Sequence, residues 1–192
     1  MNNDLHATIT LKLNKSYERS QKFIKLKKWD PDRQGAYAPN LLFIAEEEDQ
    51  ADMDSVITKW ASENNINLVE ITASNGMISK HREMATVKFT TGGSYTTDYI
   101  VVSKEKFDLF NTPNTVLYFK RIDVVSDEVF RRIMLGFVNN QTVTLGDGKV
   151  YFAKNILFSI LTISDTMDKD ARRTLIQDSK DGIMKIYLYE EV

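Results

Sequence analysis

Apolar side chains occur along this chain in short runs, and amphipathic or polar segments separate the runs. The apolar runs cover residues 41–45, 66–71, 116–119, 156–163 and 185–189. An apolar run of this length is typical of a strand whose two faces are covered by other parts of the protein. Each run therefore predicts one strand of a buried sheet.

Helical patterns stand between some of these strands. Residues 54–64 and 127–139 place apolar side chains three or four positions apart, which predicts two amphipathic helices. Strands that alternate with helices indicate a mainly parallel sheet with helices on both faces. We therefore predict an α/β fold with a doubly wound, mainly parallel sheet.

The pattern is weaker in the intervening segments. Residues 74–97 give no clear element apart from a turn at Gly92-Gly93, while residues 99–103 predict a strand and residues 104–110 a short helix. The sequence Gly146-Asp147-Gly148 predicts the turn of a β-hairpin, because Asp-Gly is a favoured pair at such turns.

The first forty residues predict an extension that precedes the α/β domain. His6–Leu13 predicts a short strand, a basic segment follows as far as Trp29, and a turn is expected at residues 30–32. The predicted division is an extension over residues 1–40 and a domain over residues 41–192.

The extension carries a cluster of cations. Its basic residues are Lys12, Lys15, Arg19, Lys22, Lys25, Lys27 and Lys28, against the single carboxylate Glu18. Such a run could follow a nucleic-acid phosphate backbone. The alternative is the solvated face of a surface helix, because basic residues without interleaved aromatic side chains are common there.

Composition narrows the function classes further. The chain has 192 residues, a net charge of −2 and no cysteine, so it contains no disulfide and fits a reducing cytoplasm. Its longest apolar runs are far shorter than the roughly 20 residues that span a bilayer. The two histidines, His6 and His81, lie far apart, and no cysteine could complete a zinc site with them. We expect a cytoplasmic protein without a membrane segment, a metal site or a cofactor.

Residues 114–165 contain four consecutive motifs. The motifs are VLYF at 116–119, EVFRRIM at 128–134, GDGKVYFAKN at 146–155 and ILFSILTISD at 156–165. Their order and character resemble the large subdomain of AAA+ ATPase modules, most closely that of the Clp-type protein unfoldases. The resemblance implies an AAA+/P-loop-like core. Because the last predicted strand stands at the end of the chain, the helical lid that follows it in the family is not expected.

The segment at the position of the family's phosphate loop is acidic. That loop has the pattern G-x-x-x-x-G-K-[ST], which surrounds phosphates with backbone N–H groups and a lysine. The carboxylates here are Glu46, Glu47, Glu48, Asp49 and Asp52, and neither glycine nor lysine occurs among them. A like-charge contact at ~4 Å costs about 4 kcal/mol at an effective dielectric of about 20. A helix N-terminus returns only about 0.3–1 kcal/mol to an anion, so nucleotide binding in the usual pose is not expected.

The family's catalytic carboxylates are also replaced. In AAA+ proteins Asp-Glu follows the strand that corresponds to residues 116–119, where it organises Mg²⁺ and the attacking water. Lys120 and Arg121 stand there instead, and Asp123 is the nearest carboxylate. The resemblance places the polar sensor at Ser164 or Asp165.

The acidic segment and Lys120-Arg121 follow parallel strands, so we expect them at the same edge of the sheet. Two interpretations remain open there. The opposite charges could form an internal salt-bridge cluster, or the edge could dock the basic surface of a partner.

The leading hypothesis is a non-catalytic pseudo-ATPase that acts through protein contacts. Its partner would be an AAA+ ATPase, a replication machine or another copy of the same chain, and its role assembly, adaptation or inhibition. One alternative is a nucleic-acid accessory protein that uses the basic segment. A third hypothesis is an NTPase with an unorthodox site.

Overall fold

The computed structural model describes residues 3–24, 40–72, 79–87, 93–102, 108, 112–124, 142–145, 150–152, 155–178 and 183–188. The α-helices in these ranges are α1 (Asn3–Ile24), α2 (Gln50–Glu63) and α3 (Lys169–Asp178). The strands are β1 (Asn40–Ala45), β2 (Asn67–Ile71), β3 (Ser79–Val87), β4 (Gly93–Val102), β5 (Thr115–Phe119), β6 (Thr142–Leu145), β7 (Val150–Phe152), β8 (Ile156–Ser164) and β9 (Ile183–Tyr187).

Five strands form a parallel sheet in the spatial order β2-β5-β8-β1-β9. Its central pair aligns Leu41 with Ile160 and Ala45 with Ser164, and the remaining neighbours also pair in parallel. Numbered along the chain, the five strands lie in the order 2-3-4-1-5. The predicted α/β fold with a mainly parallel sheet and flanking helices is confirmed.

Both faces are buried in the interior strands β1, β5 and β8 of this sheet. Leu41 and Phe43 of β1 project into one layer and Leu42 and Ile44 into the other, and none of the four exceeds 1% exposure. On the first face a core cluster joins the sheet to α1 and α2. The burial on both sides explains why these strands read as unbroken apolar runs, because neither set of alternating side chains meets water.

The predicted N-terminal strand is wrong, because His6–Leu13 lies inside α1. The window alternates apolar and polar residues, which suits a strand, but its buried residues also continue at helical spacing. Ile9, Leu13, Ser16 and Ser20 are all at most 2% exposed and are three or four positions apart. That stripe packs α1 against α2 and β8, so burial over a longer period decides the conformation.

Two predicted boundaries are also wrong. Helix α2 begins at Gln50, four residues before the predicted start, and a short 3-10 helix at Glu47–Asp49 precedes it. Carboxylates are favourable in the first helical turn, so the acidic segment extends the helix. The last strand occupies Ile183–Tyr187 rather than residues 185–189, since Ile183 and Met184 pair with the start of β1.

A second sheet is formed by segments whose secondary structure was the hardest to predict from the sequence. Its strand order is β3-β4-β6-β7, with β3 antiparallel to β4 over nine residue pairs. Strands β6 and β7 are antiparallel, as expected for a hairpin that turns at residues 146–148, although the turn lies outside the described residues. The predicted helix over 127–139 also lies outside them.

Helix α3 was not predicted. Its N-terminus is capped by Asp168, whose Oδ1 accepts hydrogen bonds from the backbone N–H groups of Asp170 at 3.1 Å and Ala171 at 2.9 Å. Such a cap typically stabilises a helix by ~1 kcal/mol. Across the described part of the chain, no helix combines the length and apolarity that a membrane span requires.

Candidate functional site at the carboxyl edge of the parallel sheet

The candidate site is built from the turns that follow β1, β5 and β8. All three strands are parallel, so these turns meet at one edge of the sheet. The backbone N–H of Asp165 donates to the carbonyl of Ala45 at 3.0 Å, while that of Lys120 donates to the carbonyl of Ile71, at the end of β2, at 3.0 Å. The first of these bonds holds the turns after β1 and β8 in a fixed relation to each other.

The turn after β1 is short and closed. The N–H of Asp49 donates to the carbonyl of Glu46 at 3.1 Å, and α2 begins at the next residue. The Gln50 side chain is buried, and its Nε2 donates to the carbonyls of Ala45 at 3.0 Å and Ile163 at 3.1 Å. This amide therefore fills the space between the ends of β1 and β8.

Arg121 links this turn to the one after β5. Its Nη1 lies 2.6 Å from Glu47 Oε1 and its Nη2 lies 2.8 Å from Asp123 Oδ2. Its backbone N–H donates to Thr162 Oγ1 at 3.0 Å, and its φ of 51° lies in the left-handed region. A non-glycine residue adopts that conformation at a cost of roughly 1–2 kcal/mol, so these contacts hold Arg121 in place.

Lys120, the residue before Arg121, belongs to a second and separate group of ion pairs. Its Nζ lies 2.7 Å from Asp54 Oδ2 and 3.7 Å from Glu70 Oε2. The hydroxyl of Tyr118 donates to Asp54 Oδ1, and Lys120 Nζ lies 5.8 Å from the centre of the Tyr118 ring. The group joins α2, β2 and β5, so it fixes the helix against the edge of the sheet.

The carboxylates of the acidic turn divide into two sets. The hydrogen bond from Arg121 lowers the pKa of Glu47, whereas partial desolvation and the charges of Glu48, Asp165 and Asp49 raise the pKa of Glu46. The first set neutralises cations of the same chain. The second set consists of carboxylates that repel one another, so this part of the edge keeps a negative potential.

The structure thus brings most of the predicted edge residues together. Glu47, Arg121 and Asp123 form direct contacts, Lys120 pairs with Asp54 and Glu70 instead, and Ser164 bonds to Thr166 Oγ1 at 2.8 Å within the turn after β8. Asp52 is exposed on the first turn of α2.

Sequence reasoning missed five side chains that complete the site. They are Gln50, Asp54, Glu70, Tyr118 and Thr162. Three of them stand on β2, β5 and β8, and their role depends on which strands are neighbours. The spacing of Gln50 and Asp54, one helical turn apart, was the available signal, but it requires the true start of α2.

The predicted basic residues lie elsewhere. Lys12, Lys15, Arg19 and Lys22 belong to α1, and Lys25, Lys27 and Lys28 lie outside the described residues. Within the described ranges, no group of three or more His, Asp or Glu side chains is arranged to hold a metal ion.

Tyr118 and Lys120 make the free energy of unfolding depend on pH in the alkaline range. Burial and the hydrogen bond to Asp54 raise the pKa of Tyr118 far above its ordinary value of 10.0. Burial alone would lower the pKa of Lys120, but Asp54 and Glu70 outweigh it and raise the pKa above 10.5. Both groups therefore stay protonated in the folded protein at a pH where the unfolded chain loses their protons.

We expect the free energy of unfolding to fall as the pH rises above about 10, the ordinary value for tyrosine. At about pH 11, one pH unit above that value, Tyr118 accounts for about 1.4 kcal/mol of this loss. Urea unfolding of the wild type and of Tyr118→Phe, at about pH 8 and at about pH 11, measures the difference. An equal loss in both proteins would show that Tyr118 does not contribute.

Comparisons with models of known protein families and with curated proteins found no match to this chain.

Proposed function

We propose that this chain is a non-catalytic pseudo-ATPase with an AAA+-like core that acts through protein contacts at the carboxyl edge of its sheet. The proposal rests on the resemblance in residues 114–165, on the strand order and on the contents of the edge. The chemistry of the edge carries it, because charged side chains of the chain itself occupy the position where the family binds nucleotide.

The strand order separates this sheet from two common doubly wound folds. The dinucleotide-binding and flavodoxin-like doubly wound sheets place their first two strands side by side. Here β5 and β8 lie between β1 and β2, so those two alternatives do not fit.

The ion pair between Arg121 and Glu47 is the main support for the proposal that the chain does not bind and hydrolyse ATP. In the family, the turn after the first strand holds phosphates and the residues after the third strand hold Mg²⁺. Here one turn offers Glu47 and the other Arg121, and they lie 2.6 Å apart. A bound triphosphate would have to separate this pair and approach Glu46 and Glu48, whose negative charges oppose it. The edge is therefore closed to nucleotide by contact and by charge.

The unneutralised part of the acidic turn supports action through a protein partner. Partial desolvation and the charges of neighbouring carboxylates raise the pKa of Glu46, so its charged form is less favourable there than in the unfolded chain. A cationic partner surface would relieve this repulsion and gain association rate and specificity from complementary charge. The ion pair of Arg121 with Glu47 and the backbone hydrogen bond from Asp49 to Glu46 restrain the turn, so its carboxylates are presented in a defined arrangement.

Titration calorimetry with ATP and Mg²⁺ tests the non-catalytic part. We expect no heat of binding at nucleotide concentrations up to about 1 mM, which corresponds to less than about 4 kcal/mol of binding free energy. Arg121→Ala in the same assay leaves the acidic turn in place and is expected to bind no nucleotide either. Micromolar binding of ATP by the wild type would refute the proposal.

A capture experiment tests the protein contact. Tagged wild-type chain and the variant Glu46→Lys/Glu48→Lys are incubated with host lysate, and retained proteins are identified by mass spectrometry. We expect a protein that the wild type retains and the variant loses. The matched control is Glu18→Lys/Glu63→Lys, which makes the same charge change at other exposed positions. If this control loses the same protein, the acidic turn is not the contact.

A further inference from the structure

Helix α1 presents a row of cations that the proposed edge function does not use. Lys12, Lys15 and Arg19 follow one another at intervals of three and four residues, so they form one stripe along the helix. Successive cations are thereby about 4.5–6 Å apart along the axis, given the rise of about 1.5 Å per residue.

The side of α1 next to this stripe is fixed to the domain. Ile9 and Leu13 are fully buried in the core, and Asn14 Oδ1 accepts a hydrogen bond from Trp60 Nε1 at 2.8 Å. Ser20 Oγ contacts the carbonyl of Leu157 at 3.2 Å. The helix therefore cannot turn its apolar face outward, and its cationic stripe stands on a rigid support.

The stripe remains available for an external anion. Lys15 and Arg19 are exposed and Lys12 is half-buried. Within the described parts of the chain, no carboxylate lies within ion-pair distance of these three side chains. Among the described residues their charges are thus not neutralised, in contrast to those of Lys120 and Arg121.

We propose that this α1 stripe binds the phosphate backbone of a nucleic acid. Regularly spaced cations suffice for such a contact, because neutralisation of phosphates and release of their counterions supply the affinity without base-specific groups. A protein interface requires buried apolar or aromatic anchors at its centre, and Leu11, at 51% exposed, is the single large exposed hydrophobic residue on the described part of α1. An anionic membrane would require the apolar face that the core already covers. The stripe therefore fits nucleic acid better than either alternative.

Fluorescence anisotropy with the full chain and a labelled DNA duplex tests this inference. Three phosphate contacts predict that log K falls against log salt with a slope of about −2.7, or about 40-fold between 50 and 200 mM salt. Lys15→Gln/Arg19→Gln removes two of the contacts, so we expect a slope of about −0.9 and about a threefold to fourfold loss over the same range. A single strand of the same length should give shallower slopes, by the ratio of about 0.7 to 0.9.

The matched control is Lys169→Gln/Arg173→Gln, which removes two exposed cations from α3 and the same net charge. It should bind the duplex as the wild type does. The inference is overturned by absence of binding in the wild type, by an unchanged salt slope in the α1 variant, or by equal weakening in the control. Retention on vesicles containing phosphatidylserine, or on polyglutamate, with no binding to DNA would also overturn it. If both variants unfold at the same midpoint temperature as the wild type, a folding defect is excluded as the cause of weaker binding.

Discussion

Simultaneous reversal of two charges, in the variant Lys120→Glu/Arg121→Glu, is expected to lower the free energy of unfolding by about 3–5 kcal/mol. Both cations are only 27% exposed, and each touches two carboxylates. Reversal replaces four attractions with four repulsions at distances of 2.6–3.7 Å in the wild type. Removal of one partner from a buried pair already costs about 3–5 kcal/mol, whereas exposed pairs contribute about 0–1 kcal/mol.

The unequal exposure of the partners sets the size of this effect. Asp123 is 8% exposed and Asp54 is 29% exposed, whereas Glu47 is 60% exposed. Most of the loss should therefore come from Asp123 and Asp54, which water screens least. Because domains of this size are stable by about 5–15 kcal/mol, a substantial part of the total depends on these two turns.

Urea unfolding followed by circular dichroism measures the effect, and the midpoint of thermal unfolding should fall by roughly 10 °C. The control is Lys59→Glu/Arg173→Glu, which makes the same change of net charge at two exposed residues. It should cost at most about 1 kcal/mol, since Lys59 is 75% exposed and lies 3.9 Å from Glu63. Equal destabilisation of both variants would mean that the effect is one of net charge and not of the ion pairs.

The interior strands could be predicted because both the apolar character and the short length of their sequence runs favour a buried strand. The runs in β1 and β8 are apolar on both faces, and all nine residues of β8 are buried. Runs of this length are shorter than most helices, so length favours a strand where periodicity alone does not decide. Helix α3 is the opposite case. It has few apolar residues, and its main signal is the Asp168 cap.

The N-terminal helix shows how a short window misleads. Over His6–Leu13 the apolar residues alternate with polar ones, which matches a half-buried strand. The helical period becomes visible only when Ser16 and Ser20 are counted with Ile9 and Leu13 as one buried stripe. Small hydroxyl residues are not recognised as core positions from sequence, although the Ser20 hydroxyl bonds to Ser16 O at 2.8 Å.

The candidate site was predictable as far as it follows from strand direction. Parallel strands end at one edge, and this rule alone brings Glu47 to Arg121. The partners of Lys120 follow a different rule, because Glu70 reaches it only if β2 lies beside β5. Asp54 reaches it only if α2 begins four residues earlier than its apolar pattern indicates. Strand order and helix start depend on the whole fold, so these two carboxylates could not be found from local sequence.

Trp60→Ala is the second variant with a large expected effect, a loss of about 3–5 kcal/mol in the free energy of unfolding. Trp60 is 3% exposed, and its ring lies 6.1 Å from that of Tyr17 in a T-shaped arrangement and 6.2 Å from that of Phe158. Tyr17 belongs to α1, Trp60 to α2 and Phe158 to β8. The indole therefore joins both helices to the sheet, and its removal leaves a cavity between all three.

Loss of the indole should release α1 more than it weakens the sheet. Trp60 provides α1 with both an aromatic contact and the hydrogen bond to Asn14, whereas β8 retains its pairing with β1 and β5. Hydrogen exchange should therefore accelerate across Asn3–Ile24 by a larger factor than across Ile156–Ser164. Asn14→Ala, which removes only the hydrogen bond, should cost about 1–3 kcal/mol, and Trp60→Phe should retain much of the ring contact. If exchange in α1 stays at the wild-type rate while global stability falls, other contacts hold the helix, and the rigid support assigned to its cationic stripe does not depend on Trp60.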